Sequence, residues 1–370
     1  MTTIIIGAGA CGLAAAIRLK QQLPGEKVIL LERLSSPGRK ILATGNGRCN
    51  ITNKYADGYN AVKDFFSSIG LVLCEEEQGR IYPYSLKAQT VLDMLLEACR
   101  RLDVEIITDC RVTKIDKDLT VHSEKGNFRA DSIIAAAGGR AQANLGSDGS
   151  GYALLKALGH STTALCPALV QLTSSSKYPR AIKGTRTRCN LKIEISGITQ
   201  AEEYGEILFT DYGLSGIAAM NLSHIVAENF AKASPEKCVA VLDLVPEMNE
   251  DELKAHIEAF GSLCGILGRK LSDILDKQAD GDAEKTAKFA KNWRLIIAGT
   301  KGFDFAQITS GGIPIHEIEE FESKCIDNLY ICGELLDRQF PCGGYNLDFA
   351  WHSGIKTADR IVKKRNDKNT

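Results

Sequence analysis

The first 32 residues constrain the fold of this chain more than any other segment. Residues 3–6 form a β-branched run that ends at Gly7, residues 13–23 carry apolar side chains at helical spacing, and residues 28–31 form a second apolar run. Glu32 follows at once, twenty positions after Gly12. The pattern predicts a βαβ unit of the kind that opens dinucleotide-binding α/β folds.

Each glycine of the turn has a separate role in such a unit. Gly7 allows the tight turn out of the strand, Gly9 lets the backbone approach a pyrophosphate, and Gly12 lets the helix pack closely on the sheet. The helix N-terminus offers unpaired N–H groups and a partial positive charge to phosphates. Glu32 is placed to accept hydrogen bonds from ribose hydroxyls, and the neighbouring Arg33 is of a type that accommodates a phosphate. Together these features favour dinucleotide binding over an ordinary glycine-rich turn.

Composition argues against several other classes of protein. The 370 residues predict two or three domains, and 45 basic against 46 acidic residues give a formal charge of -1. No global field therefore recruits nucleic acid or an anionic membrane. The twelve cysteines lack C-x-x-C spacing, the histidines lack ligand spacing, and no apolar run is long enough to span a membrane. We expect a cytoplasmic, soluble protein with reduced cysteines and a small-molecule substrate, without metal, membrane or nucleic-acid partners; its oligomeric state is left open.

A polar loop and three later motifs distinguish between the possible dinucleotides. Residues 35–50 are rich in glycine, guanidinium and carboxamide groups, which can bind a phosphate or the polar edge of a flavin. The run GRKILATGNGRCN at 38–50, with TSGGI at 309–313, GELLD at 333–337 and PCGGYNL at 341–347, resembles the bacterial HI0933-like flavoprotein family. Members of that family include BaiN-like bile-acid reductases and aminoacetone oxidases. The resemblance spans the chain and implies FAD in a two-dinucleotide-binding-type domain with an inserted domain.

The resemblance also implies which residues contact FAD. They are Gly7, Gly9, Ala10, Cys11 and Gly12 at the pyrophosphate turn; Glu32 at the adenosine ribose; Arg39, Lys40, Asn46, Gly47, Arg48 and Asn50 in the polar loop; Val112 at the adenine; Ala137, Gly138 and Gly139 in a second glycine turn; and Gly333, Glu334, Asn346 and Leu347 near the ribityl chain and ring. Arg33 and Gly344, which adjoin these motifs, are also predicted to bind the cofactor. Many flavoproteins have Asp where Glu334 stands. Tyr345, Arg48 and His352 are predicted as proton donors or orienting groups, because their segments are expected to approach the ring.

The remaining sequence predicts an α/β protein with a Rossmann-like FAD-binding domain, an inserted β-rich domain and a helical cap. The predicted FAD-binding domain comprises residues 1–159 and 326–370, the insert comprises residues 160–248 and 300–325, and the helical subdomain comprises residues 249–299. Helices are predicted at 89–102, 250–260, 283–298 and 349–362. The chain would thus return to its first domain at the C-terminal end.

The activity implied by the resemblance is FAD-dependent reduction of an activated C=C bond in a small or steroid-like substrate. No second dinucleotide fingerprint follows the first, so NAD(P)H would bind only transiently as the electron donor. Three alternatives stay open. They are an amine oxidase that passes electrons to oxygen, a flavin-dependent RNA-modifying protein, and a flavoprotein that acts as a redox sensor.

Overall fold

The computed structural model describes residues 1–367, which form two compact units. The sheet unit comprises Met1–Leu165 and the chain from Ile308 onward, and the barrel unit comprises Cys166–Gln307. The strands are β1 (Thr2–Ile6), β2 (Lys27–Leu31), β3 (Thr52–Asn53), β4 (Leu73–Glu75), β5 (Arg80–Pro83), β6 (Glu105–Ile107), β7 (Val112–Ile115), β8 (Thr120–Ser123), β9 (Gly126–Arg129), β10 (Ser132–Ala135), β11 (Cys166–Ala168), β12 (Leu172–Ser174), β13 (Arg186–Ile195), β14 (Ile198–Phe209), β15 (Gly213–Ser215), β16 (Cys238–Asp243), β17 (Trp293–Thr300), β18 (Ile308–Ser310), β19 (Ile318–Glu319), β20 (Glu322–Ser323) and β21 (Leu329–Ile331). The helices are α1 (Ala10–Gln22), α2 (Arg39–Ala43), α3 (Tyr59–Ser68), α4 (Ala88–Arg101), α5 (Ser150–Ala157), α6 (Tyr178–Ala181), α7 (Ile217–Asn221), α8 (Ser223–Ala231), α9 (Glu250–Phe260), α10 (Cys264–Leu267), α11 (Arg269–Gln278), α12 (Ala283–Lys291) and α13 (Tyr345–Asp367).

The sheet unit is built on a seven-stranded sheet in the order β19-β20-β21-β10-β1-β2-β6. The strands from β21 to β6 run parallel, with β1 at their centre. Ile4 and Ile5 of β1 point to opposite faces and are both fully buried, which is the pattern of a parallel strand covered on both sides. The predicted βαβ unit is formed by β1, α1 and β2, and its bounds lie within three residues of the predicted ones.

The last helix, α13, packs along α1 at backbone contact. A Cβ on Gly354 would lie 2.4 Å from the carbonyl oxygen of Cys11, so glycine is needed where the helices approach. The helix was predicted at 349–362 but runs from Tyr345 to Asp367. It continues past the predicted end because Arg365 is buried, donating to Ser132 Oγ at 3.0 Å and pairing with Glu26 at 3.4 Å.

The barrel unit is a closed antiparallel barrel in the order β12-β15-β14-β13-β16-β17. Its interior is filled by large apolar side chains, among them the fully buried Phe209 and Trp293. Helices α9, α11 and α12 contribute Leu253, Leu275 and Ala287 to the same core. The segment predicted as a separate helical subdomain therefore shares one core with the barrel, because its buried apolar side chains lie in the same cluster as those of the strands.

Two further predictions differ from the structure. The helix predicted at 283–298 ends at Lys291, and β17 follows with alternating buried and exposed side chains, so the prediction is wrong from residue 292 onward. Residues 160–165 and 308–325 were predicted in the insert but belong to the sheet unit. There the buried imidazole of His160 joins Glu317 at 2.7 Å and Ser323 at 2.8 Å, which ties these segments together.

Candidate functional site

The glycine turn between β1 and α1 is tightly packed at Gly7 and Gly12 and open at Gly9. Gly7 has a φ of +103°, and a Cβ there would lie 2.6 Å from the carbonyl oxygen of Ala136. A Cβ on Gly12 would lie 1.9 Å from the oxygen of Gly7. A Cβ on Gly9 would meet nothing within 4 Å, and no side chain caps the N-terminus of α1. The turn thus leaves open space in front of unpaired helix N–H groups, as a phosphate requires.

Glu32 lies at the carboxyl end of β2 in the wall of a cavity. Its side chain is buried, and its two oxygens accept hydrogen bonds from the N–H groups of Ala8 and Leu34, both at 2.9 Å. The cavity opens to solvent and, with the open space at its mouth, measures about 420 Å³; Val112 and Ala137 also line it. Each carboxylate oxygen can accept a further hydrogen bond, so Glu32 retains the capacity to bind ribose hydroxyls.

Arg33 lines the same cavity but is engaged by the neighbouring loop. Its guanidinium pairs with Asp148 at 2.9 Å and donates to the oxygen of Ala143 at 3.0 Å. Burial raises the pKa of Asp148, but hydrogen bonds from Ser150 and the charge of Arg33 outweigh that effect and bring it below its usual value. Arg33 therefore helps to hold the cavity wall, and its guanidinium is not free for a ligand phosphate.

The predicted polar loop is partly helical and carries an unusual backbone. It contains α2 and a tight turn at Thr44–Gly47. Gly45, Asn46, Gly47 and Cys49 all have positive φ, between 55° and 82°. Asn46 and Cys49 carry side chains in this left-handed region, a conformation that is costly and concentrates at ligand sites.

The Arg48 guanidinium is already occupied. It forms two hydrogen bonds with Glu76, at 3.0 and 3.1 Å, and lies over the ring of Tyr82 at 4.4 Å. Asn50 differs, because its side-chain oxygen Oδ1 is buried and accepts no hydrogen bond from residues 1–367. A buried acceptor without a donor is destabilising unless a ligand supplies one.

Four predicted segments meet around Glu334. Its Oε2 pairs with Lys40 Nζ at 2.9 Å, and its Oε1 accepts from the N–H of Thr309 at 2.8 Å. Gly139 lies against them, since a Cβ there would be 2.5 Å from Thr309 Oγ1. Gly333 packs against Cys11, since a Cβ on Gly333 would lie 3.0 Å from the Cβ of Cys11. The structure therefore brings together the pyrophosphate turn, the polar loop, the second glycine turn and the late motif.

The first turn of α13 contacts the polar loop. A Cβ on Gly344 would lie 2.6 Å from the Thr52 oxygen and 3.0 Å from Asn50 Oδ1. The Asn346 carboxamide is used locally, accepting from Phe340 N–H at 3.0 Å and donating to its oxygen at 2.7 Å. Burial lowers the pKa of His352, so its imidazole is neutral at pH 7 and is a weak proton donor.

Several residues of this region were not predicted from the sequence. They are Thr52, Thr309 and Asp348, each of which joins segments that are far apart in the chain. Thr309 stands in the quoted TSGGI motif, which was the available signal. The thiols of Cys11 and Cys332 also meet here at 3.1 Å, while burial raises the pKa of Cys49 to about 12 and makes it unreactive. Within residues 1–367 no cluster of three or more potential metal ligands occurs, and no helix is long and apolar enough to cross a membrane.

Comparison with known proteins identifies the family. The chain matches the family described as HI0933-like protein Rossmann domain over residues 1–61 and 58–360. The chain belongs to this family. The "3-dehydro-bile acid delta(4,6)-reductase" of Clostridium scindens is 35% identical, with 98% of both chains covered. A "Ribosomal RNA dihydrouridine synthase" of Haemophilus influenzae is 27% identical over 98% of both chains, and one of Escherichia coli is 26% identical over 97% of both.

Two solved enzyme structures share this fold. The 3-ketosteroid delta1-dehydrogenase of Sterolibacterium denitrificans has a TM-score of 0.53 at 12% identity, with 98% of this chain and 100% of that chain covered. A flavocytochrome c3 fumarate reductase has a TM-score of 0.50 at 15% identity, with 98% of this chain and 78% of that chain covered. At this level of identity the likeness shows the fold alone.

Membership of the family confirms three predictions made from the sequence. They are the resemblance itself, the α/β fold with a Rossmann-like FAD-binding domain and a β-rich insert, and the classification as an FAD-dependent oxidoreductase. The individual cofactor-binding and catalytic residues stay predictions, as does the use of NAD(P)H.

Proposed function

We propose that this protein reduces a C=C bond conjugated with a carbonyl group in a small or steroid-like molecule, using FAD and taking electrons from NAD(P)H. The relative from Clostridium scindens carries this proposal, because it is 35% identical over 98% of both chains. Its name places its reaction at the delta(4,6) double bonds of a 3-dehydro bile acid, which are conjugated with the 3-oxo group. Full-length coverage means that both units of this chain have counterparts in that reductase.

The geometry of the sheet unit supports FAD as the resident cofactor. The open space at Gly9, the N–H groups of α1 and the buried Glu32 fit a diphosphate and a ribose. The unpaired Asn50 Oδ1 lies in the loop expected along the ring and fits a ring N–H donor. Lys40 brings a positive charge to the same region. When bound, FAD supplies the hydride-transfer chemistry that side chains lack.

Saturation of a conjugated C=C bond also requires a proton at the carbon next to the carbonyl. Among the three predicted catalytic residues, Arg48 is paired with Glu76 and His352 is neutral with a lowered pKa. Tyr345 stands in the first turn of α13, and its hydroxyl makes no hydrogen bond within the described part of the chain. We therefore assign the proton-donor role to the Tyr345 hydroxyl.

Anaerobic spectroscopy tests this proposal directly. The purified protein should be yellow, NADH or NADPH should bleach it without oxygen, and a 3-oxo-4,6-diene steroid should restore the colour as it becomes saturated. Tyr345→Phe should keep the flavin and its reduction by NAD(P)H but slow reoxidation by the steroid about 100-fold. Tyr84→Phe is a matched control, because Tyr84 is 73% exposed on the same unit.

Other outcomes would point to the alternatives. Release of peroxide with an amine and oxygen, without steroid reduction, would indicate the oxidase. Reversible flavin reduction without turnover of any acceptor would indicate a redox sensor. A colourless protein that binds no FAD would contradict the proposal as a whole.

A second candidate is reduction of uridine in ribosomal RNA. Two relatives named ribosomal RNA dihydrouridine synthases match nearly the whole chain, at 27% and 26% identity. Forming dihydrouridine also saturates a C=C bond conjugated with a carbonyl, so the same chemistry serves. The formal charge of -1 argues against a strong electrostatic contribution to RNA binding. Dihydrouridine formed in ribosomal RNA by the purified protein and NAD(P)H, with no steroid reduction, would favour this candidate.

A further inference from the structure

A buried carboxylate, Asp348, joins three segments of the sheet unit. It lies in the first turn of α13 and is only 3% exposed. Its Oδ1 accepts from Thr52 Oγ1 at 2.5 Å, and its Oδ2 accepts from the N–H of Gly58 at 3.0 Å. Thr52 belongs to the flavin loop, which we define as residues 45–53, and Gly58 precedes α3. The carboxyl group thus connects the flavin loop and α3 to the start of α13.

The contact between these segments leaves no spare room. A Cβ on Gly58 would lie 2.5 Å from Asp348 Oδ2. Trp351 Nε1 donates to the Ile51 oxygen at 3.1 Å, and Asn53 Nδ2 donates to the Gly343 oxygen at 3.0 Å. The indole, carboxamide and backbone groups that form these two hydrogen bonds do not titrate near neutral pH. The groups at this contact that do are the carboxyl of Asp348 and the imidazole of His352, whose Cβ would lie 2.7 Å from a Cβ on Gly58.

The surroundings of Asp348 favour its neutral form. Burial raises its pKa to about 6, although the hydrogen bonds from Thr52 and Gly58 oppose that effect, and the like charge of Asp57 adds to it. Charged or titratable groups on the neighbouring elements are Asp57 before α3, His352 on α13, Arg338, which pairs with Asp57 at 4.0 Å, and Arg48 in the flavin loop.

The neutral carboxyl can satisfy every partner. Its O–H donates to Thr52 Oγ1, the Thr52 hydroxyl then donates to the Asn53 oxygen at 3.4 Å, and the remaining carboxyl oxygen accepts from Gly58. The ionised form keeps both hydrogen bonds but holds a charge away from water.

We propose that Asp348 is a positioning residue whose protonation state sets how firmly the flavin loop is held against α13, and thereby how fast FAD is released. This inference rests on FAD binding in the proposed function. When the contact opens, the carboxyl reaches water and regains its usual pKa near 3.8. The open form therefore ionises first, so opening becomes easier as pH rises from below 3.8 through about 6, and changes little above that.

Release of FAD from the purified flavoprotein, followed by the fluorescence of free FAD after dilution, tests the inference. Wild-type protein should release FAD about tenfold faster at pH 7.5 than at pH 5. Asp348→Asn retains the shape and both hydrogen-bonding roles without a charge. It should release FAD slowly at both pH values, and so retain the cofactor better than wild type at pH 7.5.

Two further variants separate this role from a general loss of structure. Thr52→Val removes the partner of the carboxyl group and should release FAD quickly at both pH values. Asp359 also lies on α13, but its carboxylate pairs with Arg18, away from the contact with the flavin loop. Asp359→Asn should therefore keep the wild-type pH dependence of FAD release. If Asp348→Asn keeps that dependence, or if wild-type release does not change with pH, the inference fails while the proposed function stands. If no variant binds FAD at any pH, both fail.

Discussion

Two helices of the barrel unit and the first helix of the sheet unit begin in different ways. In the barrel unit, α9 starts with a capping box in which Asn249 and Glu252 satisfy each other's backbone N–H groups, and α12 starts with Asp282 accepting from Lys285 N. In the sheet unit, α1 starts at Gly9 with no side-chain cap and with open space in front of it. A side-chain cap satisfies some of the first N–H groups, whereas α1 leaves them available to a ligand. Helix α11 of the barrel unit also lacks a cap at Gly268, so an uncapped start alone does not mark a site.

The two units also differ in what they leave open, although both hold buried polar atoms without a hydrogen-bond partner in residues 1–367, among them Gln171 Oε1 and Thr185 Oγ1 of the barrel unit. The barrel closes on itself, so it has no free sheet edge, and its interior is filled. The sheet unit keeps positive φ at Asn46 and Cys49, an unpaired buried oxygen on Asn50, and the buried carboxyl of Asp348. Such costs are typical of functional sites, and in the sheet unit they fall in segments that the sequence predicts to surround FAD.

Trp293→Ala should have the largest effect, and it should be confined to the barrel unit. The ring is fully buried, lies 5.6 Å from the Phe209 ring, and donates to Gln278 at 2.9 Å. Removing it should lower the free energy of unfolding of that unit by about 3–5 kcal/mol. Proteolysis should then cleave within residues 166–307, while the bound flavin keeps its visible spectrum.

A matched control for that variant is Phe260→Ala. Phe260 is 74% exposed in the same unit, so its loss should leave protease resistance unchanged. Loss of the flavin spectrum in Trp293→Ala, at a temperature where the sheet unit stays folded, would break the separation between the two units.

Gly9→Val should have the next largest effect, and on the cofactor alone. The new side chain would enter the open space at the N-terminus of α1, and the φ of -83° at Gly9 suits a branched residue. The fold should therefore survive with little change in melting temperature, while FAD affinity falls at least about 100-fold. Visible absorbance and circular dichroism of the purified variant measure the two effects.

Gly25→Val is the matched control for this position. Its Cβ would also meet nothing within 4 Å, but it lies beyond the other end of α1. Full retention of yellow colour in Gly9→Val, or its loss in Gly25→Val, would contradict the assignment of the pyrophosphate turn.

The parts of the fold that sequence predicts well are those set by local pattern. The βαβ unit is bounded by glycines and by β-branched runs, and the structure keeps its bounds within three residues. The segment 283–298 was harder, because Trp293, Leu295 and Ile297 fit both a helical and an alternating pattern over so short a run. Pairing with β12 and β16 decided in favour of a strand.

The parts that escaped prediction depend on contacts between distant residues. Asp348 and Gly58 are 290 positions apart, and nothing near Asp348 in the sequence indicates that its carboxyl is buried. The engagement of Arg48 by Glu76, and of Arg33 by Asp148, likewise depends on tertiary packing. A sequence motif can therefore indicate which segments surround a cofactor, but not which of their side chains are free to act.

Asp348→Asn should change stability in a pH-dependent way. The raised pKa means that the carboxyl contributes stability that is present below about 3.8 and is lost as pH rises through about 6. The free energy of unfolding of the variant, relative to that of wild type, should thus increase by on the order of 2 kcal/mol from pH 4.5 to pH 7.5. Urea unfolding at both pH values measures this difference. If the substitution changes the free energy of unfolding equally at both pH values, the charge of Asp348 does not destabilise the folded protein.

Asn249→Ala should have the smallest effect, and on the barrel unit alone. The substitution removes the hydrogen bond to Glu252 N and leaves the first turn of α9 with unpaired N–H groups. Loss of such a cap lowers the free energy of unfolding by about 1 kcal/mol. Thermal unfolding of the barrel unit should shift down while FAD affinity stays constant. Glu258→Ala on the same helix is the control, because Glu258 is exposed and takes no part in the cap. If Asn249→Ala instead weakens FAD binding, the start of α9 would be coupled to the cofactor, and the barrel unit could no longer be treated as independent of the site.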